Sequence, residues 1–189
     1  MKRLRNNIIS VVFTLIKFAF IKLFHWKQFS FHPVERFSPD TDIYFLGGGK
    51  IVLGRAVRAH SLCRFRVIVN GVIKIEENAT FNYGCMINAR ELIHVGKGVE
   101  VGPNVLMYDH DHDFRNTEGG IKANKYKSGI IVIGDNTWIG ANTVILKNTI
   151  IGKNCVVAAG CVLGNCEYPD NTLIYQKRDI QTKMIIREP

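Results

Sequence analysis

Large aliphatic residues recur at every sixth position in the second half of the chain. From residue 133 the sequence divides into IGDNTW, IGANTV, ILKNTI, IGKNCV, VAAGCV and LGNCEY. A period of six fits neither an amphipathic helix nor a simple hairpin meander, so it predicts short strands that coil around a triangular core. Three units complete a turn, with position one pointing inward and a small residue at position five near the bend. Position one holds Ile133, Ile139, Ile145, Ile151, Val157 and Leu163, and position five holds Thr137, Thr143, Thr149, Cys155, Cys161 and Glu167.

The same period occurs upstream in a less regular form. Units of six begin at Ile75, Phe81, Val95 and Val101, and an eight-residue unit from Ile87 to His94 interrupts them. Stacked turns with one irregular unit are still expected to share a continuous core. Residues 53–70 are expected to form one further turn, whose fifth positions would be Val57, Cys63 and Val69.

The N-terminal segment predicts an amphipathic helix. Residues 8–24 are strongly apolar but are interrupted by Lys17 and Lys22. About 20 clean apolar residues are needed to span a bilayer, so this charged run is not expected to cross one. Two alternatives stay open: the apolar face packs on the protein or a neighbouring subunit, or residues 1–28 lie peripherally in a membrane interface. Helical spacing puts Asn7, Ser10, Thr14 and Lys17 on one strip, and Ile8, Val12, Leu15, Ala19 and Leu23 away from it.

The six-residue rule stops between Met107 and Ile133. Residues 108–130 are rich in Asp, Asn, Gly, Lys and His, so they predict a loop that projects from the coil. The run YDHDHDFRN places His110 and His112 at the root of this loop. An insertion of this length does not help a purely structural coil, which favours a functional role for the loop.

Length and composition bound the organisation and the partners. A chain of 189 residues is expected to form one main domain, with a helical segment at 1–45, a coil at 46–168 and an extension at 169–189. A net charge of +9 favours anionic partners such as phosphates or acidic lipid headgroups, and no nucleic-acid-binding motif is present. The five cysteines form no CxxC pair, and the sequence shows no secretory signal, so a protein of the reducing cytoplasm is expected. The protein would be either free there or at the inner face of the membrane.

The repeats, the sequence YDHDHDF at the edge of a loop, and IVIGDNTWIGANTVI directly after it resemble the hexapeptide-repeat acyltransferases. The nearest-looking branch comprises sugar O-acetyltransferases of polysaccharide biosynthesis. The resemblance covers roughly residues 53–171 and implies an all-β fold, a left-handed parallel β-helix with a projecting loop. It also implies a homotrimer with acetyl-CoA as cosubstrate, no metal, and active sites in clefts between adjacent coils.

The resemblance also implies roles for individual residues. His110 is the first candidate for the general base and His112 the second, and Asp109 would fix the imidazole tautomer. The acceptor would be contacted by Asn82, Trp138 and Tyr108. The coenzyme's pantetheine arm would bind at Ala141, Ala159 and Gly160, and its phosphates at Lys177 and Arg178. The C-terminal region departs from the family pattern because it lacks the usual Gly-x-Pro-Ala-Lys-like segment.

The sequence therefore predicts an acetyl-CoA-dependent O-acetyltransferase acting on a carbohydrate, in assembly of a bacterial surface polysaccharide. An amino-sugar N-acetyltransferase is the nearest alternative. A γ-carbonic-anhydrase-like zinc enzyme would need His94, His110 and His112 as ligands, and the two loop histidines are expected on opposite faces of a strand. A non-catalytic scaffold is the remaining alternative, because fold alone does not define function.

Overall fold

The computed structural model describes residues 2–115 and 125–177, with side chains from Ile8 onward. One helix, α1, spans Lys2–Phe24 and precedes a series of short strands. Twenty of these strands form three parallel sheets that the chain visits in rotation, and two form a separate antiparallel pair.

Sheets A, B and C are the three faces of the coil. Sheet A contains β1 Phe29–Ser30, β4 Lys50–Leu53, β7 Val72–Ile75, β10 Leu92–Val95, β15 Ile130–Ile133, β18 Thr149–Ile151 and β21 Cys166–Tyr168. Sheet B contains β2 Arg36–Phe37, β5 Arg58–Ala59, β8 Thr80–Phe81, β11 Glu100–Val101, β16 Trp138–Ile139, β19 Val156–Val157 and β22 Leu173–Ile174. Sheet C contains β3 Asp42–Gly47, β6 Arg64–Val69, β9 Met86–Ala89, β12 Leu106–Tyr108, β17 Val144–Leu146 and β20 Val162–Leu163. The antiparallel pair is β13 His110–His112 with β14 Tyr126–Ser128.

The predicted inward positions form the core. Ile133 pairs with Val95 on one side and Ile151 on the other, so equivalent residues of successive turns stack directly. Alternate residues along each strand point inward, and all six predicted aliphatics from 133 to 163 are at most 3% exposed. These observations agree with the predicted all-β fold, a left-handed parallel β-helix of hexapeptide repeats with an N-terminal helix.

Position four of each repeat makes the corner possible. Asn136, Asn142, Asn148 and Asn154 all have φ between 54° and 57°, the left-handed region that asparagine tolerates better than most residues. The Asn side chains also form ladders, as in the 3.4 Å hydrogen bond from Asn136 Nδ2 to Asn154 Oδ1. The corners are therefore held by backbone conformation and by amide pairs between turns.

Position five supplies a hydrogen-bond donor as well as a small side chain. Thr137 Oγ1 donates to the Gly152 carbonyl at 2.9 Å, and Cys155 Sγ donates to the Pro169 carbonyl at 3.2 Å. Both side chains are buried, so each hydroxyl or thiol satisfies a main-chain carbonyl of the next turn. This explains why Thr and Cys exchange at this position.

Two fifth positions differ from the expectation. Cys166, not Glu167, pairs with Thr149, and Tyr168 pairs with Ile151, because the last unit is one residue short. Val69 is 45% exposed at a corner with φ 59°, since the unit after Phe65 is longer than six residues. Val57 and Cys63 are buried as expected.

The strand ladder extends beyond the predicted coil boundaries of 46 and 168. β1 pairs with β4 and β2 pairs with β5, so the coil begins soon after the helix. At the other end β22 pairs with β19. The hydrogen-bonded coil is therefore longer than the predicted segment 46–168. The division of the chain at 1–45, 46–168 and 169–189 stays a prediction.

Helix α1 contacts the first turn of the coil through its polar strip. The Phe37 amide donates to Thr14 Oγ1 at 2.9 Å, and Lys17 Nζ donates to the Pro39 carbonyl and to Thr41 Oγ1 at 3.1 and 3.0 Å. Burial lowers the pKa of Lys17 below its usual value. Lys22 Nζ donates to the main-chain carbonyl of Trp26 at 2.7 Å.

The buried ring of Phe18 and the partly buried side chain of Ile21 complete this contact. Phe18 is fully buried and meets the rings of Phe29, Phe31 and Phe37 edge-on, with centroids 4.8–5.2 Å apart. Most of the other apolar side chains of the helix, including Ile16, Phe20 and Leu23, are exposed in the described structure. Thr14 and Lys17, two members of the polar strip, bond the coil, so the strip faces it and the opposite side of the helix faces outward. No helix in the described residues meets the length and hydropathy needed to cross a membrane.

We predict that Glu35 makes stability fall as pH rises. Its carboxyl is 1% exposed, Oε1 accepts the His32 amide at 2.9 Å, and Oε2 meets no donor among the described residues. Burial raises the pKa of Glu35 to about 7. Between about pH 4.5 and 7 the folded chain keeps a proton that the unfolded chain has lost, so stability decreases across this window by about 3 kcal/mol at most.

Glu35→Gln removes this loss because an amide does not ionise. Thermal unfolding is measured at pH 5 and at pH 8. The melting temperature of the variant minus that of the original chain should be larger at pH 8 than at pH 5. Glu167→Gln, at an exposed position, should leave the difference unchanged. Parallel pH profiles for Glu35→Gln and the original chain would contradict the prediction.

Candidate active site

The predicted loop is an antiparallel hairpin arm that leaves the coil where the chain passes from sheet C to sheet A, called here the C–A corner. β13 pairs with β14, with His110 opposite Ser128 and His112 opposite Tyr126. At its root the Gly129 amide donates to the Asp109 carbonyl at 2.8 Å. Lys147, at the same corner of the next turn, forms an ion pair with Asp111. The arm therefore has a fixed base; residues 116–124 lie outside the described part of the chain.

Asp109 is the structural centre of this base. Its side chain is fully buried and accepts the Arg90 amide at 2.8 and 3.0 Å and the Glu91 amide at 2.7 Å. These two amides belong to the corner inside the eight-residue unit that broke the repeat. The extra residues of that unit turn two adjacent N–H groups toward the next turn of the coil, where the carboxylate receives them.

Asp109 also orients His110. The Nδ1 of His110 lies 2.9 Å from Asp109 Oδ1, and the imidazole side chain is 9% exposed. A neutral imidazole in this pair carries its proton on Nδ1, which leaves the lone pair on Nε2. Nε2 has no hydrogen-bond partner among residues 2–115 and 125–177. The arrangement is suited to accepting a proton at Nε2.

His112 lies in a different environment from His110. Its side chain is exposed, and its ring lies 4.5 Å from the Tyr126 ring, centroid to centroid. The expectation that the two histidines point to opposite faces is wrong, because residues two apart on a strand share a face, and His110 also contacts Tyr126, at 5.6 Å. Of the two loop histidines, His110 is the one bonded to Asp109 within the described residues, which supports it as first candidate.

Two site residues were missed by sequence reasoning. The Arg90 guanidinium lies 4.0 Å from the centroid of the Tyr126 ring, whose neighbours include both histidines. A cation stacked on an aromatic ring keeps its charge while its position is restricted. The eight-residue unit that interrupts the repeat could have pointed to Arg90, which lies within it. Nothing in the sequence pattern singled out Tyr126, which lies in the irregular loop.

Asn88 is a third residue that sequence reasoning missed. It pairs with Tyr108 across sheet C, one strand before the root of the arm. Its Oδ1 is buried and meets no donor in the described residues, which is unusual for a buried acceptor. Tyr108, expected at the acceptor, donates its hydroxyl to the Met86 sulfur along the same sheet.

The residues expected to bind coenzyme come together at another corner, where the chain passes from sheet B to sheet C. The Gly160 amide donates to the Ala141 carbonyl at 2.7 Å, and Ala159 lies beside them in the same turn. Asn82 lies in the same column of turns, with its Oδ1 accepting the Tyr83 amide at 2.9 Å. This B–C corner is at the opposite end of the sheet C strands from His110, roughly 10 Å away for three-residue strands.

The remaining predicted residues are dispersed within one chain. Trp138 is 56% exposed on the outer face of sheet B, away from the C–A corner. Lys177 is exposed and follows Gln176, whose side-chain amide bonds the main chain of Val162 at the end of sheet C. Arg178 lies outside the described residues.

His94 does not join the two loop histidines. It lies on sheet A, where its Nε2 is 3.1 Å from Glu76 Oε1. In the described parts of the chain no group of three or more His, Cys, Asp or Glu residues has a geometry that could hold a metal ion.

Comparison with known proteins agrees with this architecture. Residues 130–165 match the family described as bacterial transferase hexapeptide (six repeats). The chain is similar in structure to AntD, an N-acyltransferase from Bacillus cereus. A serine-to-threonine mutant of AntD in complex with dTDP and coenzyme A has a TM-score of 0.64 and 19% sequence identity, and the match covers 80% of this chain and 81% of that one. A serine-to-cysteine mutant of AntD in complex with dTDP-4-amino-4,6-dideoxyglucose and coenzyme A has a TM-score of 0.63 and 18% sequence identity, and the match covers 81% of each chain.

A further similar structure is a hexapeptide-repeat containing acetyltransferase from Vibrio cholerae O1 biovar eltor, complexed with acetyl coenzyme A. Its TM-score is 0.48 at 26% identity, over 70% of this chain and 66% of that one. The likeness to AntD establishes the fold, and the match at residues 130–165 establishes the repeat type of that segment.

We predict that Asp109→Asn destabilises the folded chain. The amide that replaces one carboxylate oxygen presents N–H groups to a pocket already filled by the donors of Arg90, Glu91 and His110. The free energy of unfolding should fall by about 1–3 kcal/mol, the range for a buried hydrogen-bonding group left unmatched. Urea unfolding of the purified variant measures this loss.

Asp111→Asn is the matched control, two residues away on the same arm. Asp111 forms its ion pair with Lys147 at a side chain that is 47% exposed, so the free energy of unfolding should change by less than about 1 kcal/mol. Equal losses in the two variants would contradict the central position of Asp109.

Proposed function

We propose that the protein is an acyltransferase that moves an acetyl group from acetyl-CoA to a carbohydrate acceptor, with His110 as general base. The observation that carries the proposal is the buried Asp109–His110 pair, whose imidazole Nε2 is free of partners among the described residues at the root of an arm. The hexapeptide-transferase match at residues 130–165 and the likeness to the coenzyme A complexes of AntD support the same chemistry.

The reaction follows from the position of the lone pair on His110 Nε2. Nε2 accepts the proton of an acceptor hydroxyl while that oxygen attacks the thioester carbonyl. The tetrahedral adduct then collapses, the carbon–sulfur bond breaks, and the departing coenzyme A sulfur takes the proton from the imidazolium. Asp109 keeps the ring in one tautomer and stabilises the imidazolium, so no covalent enzyme intermediate is required.

Residues around the C–A corner would bind the acceptor. The Oδ1 of Asn88 is a buried hydrogen-bond acceptor ready for a sugar hydroxyl or amine. The Arg90 guanidinium, held on Tyr126, could meet a phosphate if the sugar is carried on a nucleotide, as dTDP-sugars are in the AntD complexes. Tyr108 would line the floor of this site.

The coenzyme would extend from the B–C corner, with Ala141, Ala159 and Gly160 at the pantetheine arm and Lys177 and Arg178 near the phosphates. Asn82 and Trp138 lie away from His110 within one chain. They would reach an acceptor only if a second chain supplies them, which supports the proposal of a homotrimer with active sites between subunits.

Two acceptor groups are compatible with this site. A hydroxyl needs a general base more strongly than a deprotonated amine does, so the Asp109–His110 pair supports O-acetylation, in line with the expectation from sequence. The likeness to AntD, an N-acyltransferase crystallised with an amino sugar, favours N-acetylation as a second candidate. A cytoplasmic step in bacterial surface polysaccharide synthesis fits either product.

We predict that His110→Ala lowers turnover roughly 10²- to 10⁴-fold, because the general base is lost. Coenzyme A affinity, measured by calorimetry, should remain close to that of the original chain, since the coenzyme residues lie at the B–C corner. His112→Ala is the control on the same face and should keep most of the turnover. Near-normal turnover in His110→Ala, or an equal loss in His112→Ala, would overturn the role of His110.

A second experiment decides the acceptor. Acetyl-CoA consumption is measured with pairs of sugar nucleotides that differ only by an amino or a hydroxyl group at one carbon. We expect turnover with the hydroxy member of a pair and at least about tenfold less with its amino partner, because a site built around one donor discriminates against the other. The reverse preference would establish N-acetylation, and no consumption with any sugar would refute the carbohydrate acceptor.

A further inference from the structure

The outward face of helix α1 is a large apolar surface that the described coil does not cover. Its side chains are 40–72% exposed, and within it the rings of Phe20 and Phe24 meet edge-on with centroids 5.2 Å apart. Isolated exposed apolar residues are ordinary, but a contiguous set along five turns of one helix marks an interaction surface. The outward face comprises Ile8, Ile9, Val12, Phe13, Leu15, Ile16, Phe20, Leu23 and Phe24.

The helix cannot bury this face by rotating. Thr14, Lys17 and Lys22 are bonded to main-chain groups of the coil, Lys22 through the Phe29 carbonyl, and Phe18 is inserted among three phenylalanine rings. Rotation would break these hydrogen bonds and expose Phe18. The same contacts keep the helix against the first turn of the coil. A partner can therefore reach the helix only from its outward side.

The charged residues of the helix itself all have one sign. The helix sequence contains no Asp or Glu, and it begins with Lys2, Arg3 and Arg5. At its other end Lys27 lies 4.8 Å from the ring of Trp26, which is 67% exposed. Trp26 and Lys27 line a cleft of about 730 Å³ together with Lys50. Cations therefore lie at the end of the apolar face near Phe24, and the sequence of the helix begins with three further basic residues.

A second, smaller cleft lies beside the first turns of the helix. It has a volume of about 370 Å³, and its lining includes the apolar side chains of Ile8, Val12 and Val34 as well as Arg58. An apolar groove that also offers a guanidinium suits a hydrocarbon chain attached to a phosphate.

We propose that the outward face of α1, with Trp26, Lys27 and Lys50, docks on an anionic lipid bilayer with the helix lying in the plane of the interface. Apolar side chains enter the boundary of headgroups and acyl chains, Trp26 sits at headgroup level, and the flanking cations meet lipid phosphates. A second copy of the chain fits less well, because two such helices would bring clusters of like charge together in either orientation. This inference rests on α1 and is independent of the acyl transfer.

The test uses the full-length chain and vesicles of phosphatidylcholine, with and without phosphatidylglycerol. We expect at least about tenfold more sedimentation with anionic than with neutral vesicles, and weaker binding at high salt. The double variant Ile16→Asn, Phe20→Asn should lose binding, and Lys27→Glu, Lys50→Glu should lose the preference for anionic lipid. Leu173→Asn, an exposed apolar residue at the other end of the coil, should bind normally.

Tryptophan fluorescence gives a second readout that does not depend on sedimentation. With Trp138→Phe, the remaining Trp26 should shift its emission to the blue when anionic vesicles are added. With Trp26→Phe, the remaining Trp138 should not shift. Matching melting temperatures for all variants ensure that folded protein is compared.

Two outcomes would overturn the proposal. Binding to anionic vesicles that persists in the Ile16→Asn, Phe20→Asn variant would show that another surface carries it. Absence of vesicle binding by the folded original chain would exclude the lipid surface. If light scattering then showed an oligomer that the same double variant dissociates, the face would be assigned to contact between copies.

Discussion

In-register stacking of the turns is the constraint on which the rest of the structure depends. Each strand pairs with its equivalent in the turns before and after, so a change in one corner is transmitted to the next turn. The buried aliphatic column and the Asn corners hold that register. Extra residues are therefore tolerated only at corners, from which they must leave and return without moving the strands on either side.

The arm illustrates this constraint. It leaves after Tyr108 and returns at Gly129, and β15 still pairs residue by residue with β10. Asp109 connects the arm to the coil. Its carboxylate accepts two amides of the enlarged corner in the preceding turn and also bonds His110 at the start of the arm. A single buried carboxylate thus links the integrity of the coil to the orientation of the imidazole.

The open N-terminal end of the coil presents a different problem. A stack of strands exposes unpaired main-chain groups and core side chains at its first turn, and α1 covers them with Thr14, Lys17 and Phe18. A helix that uses its polar strip for this purpose leaves its apolar side outward. The proposed lipid interface would receive that side.

The sequence by itself determined the coil, its inward column and the position of the projecting arm, because a six-residue period is a local property that any stacking of turns must respect. The break in the period located the segment that contains Asp109 and His110, and the resemblance of that segment to a known family predicted their roles. Tertiary structure alone decided which groups meet there. Arg90 and Tyr126 come from separate segments to stack beside His110, and Asn82 and Trp138 lie at other parts of the coil. The tertiary structure also decided which face of α1 turns inward, because Thr14, Lys17 and Phe18 find their partners on the first turn of the coil, and no periodicity reports such partners.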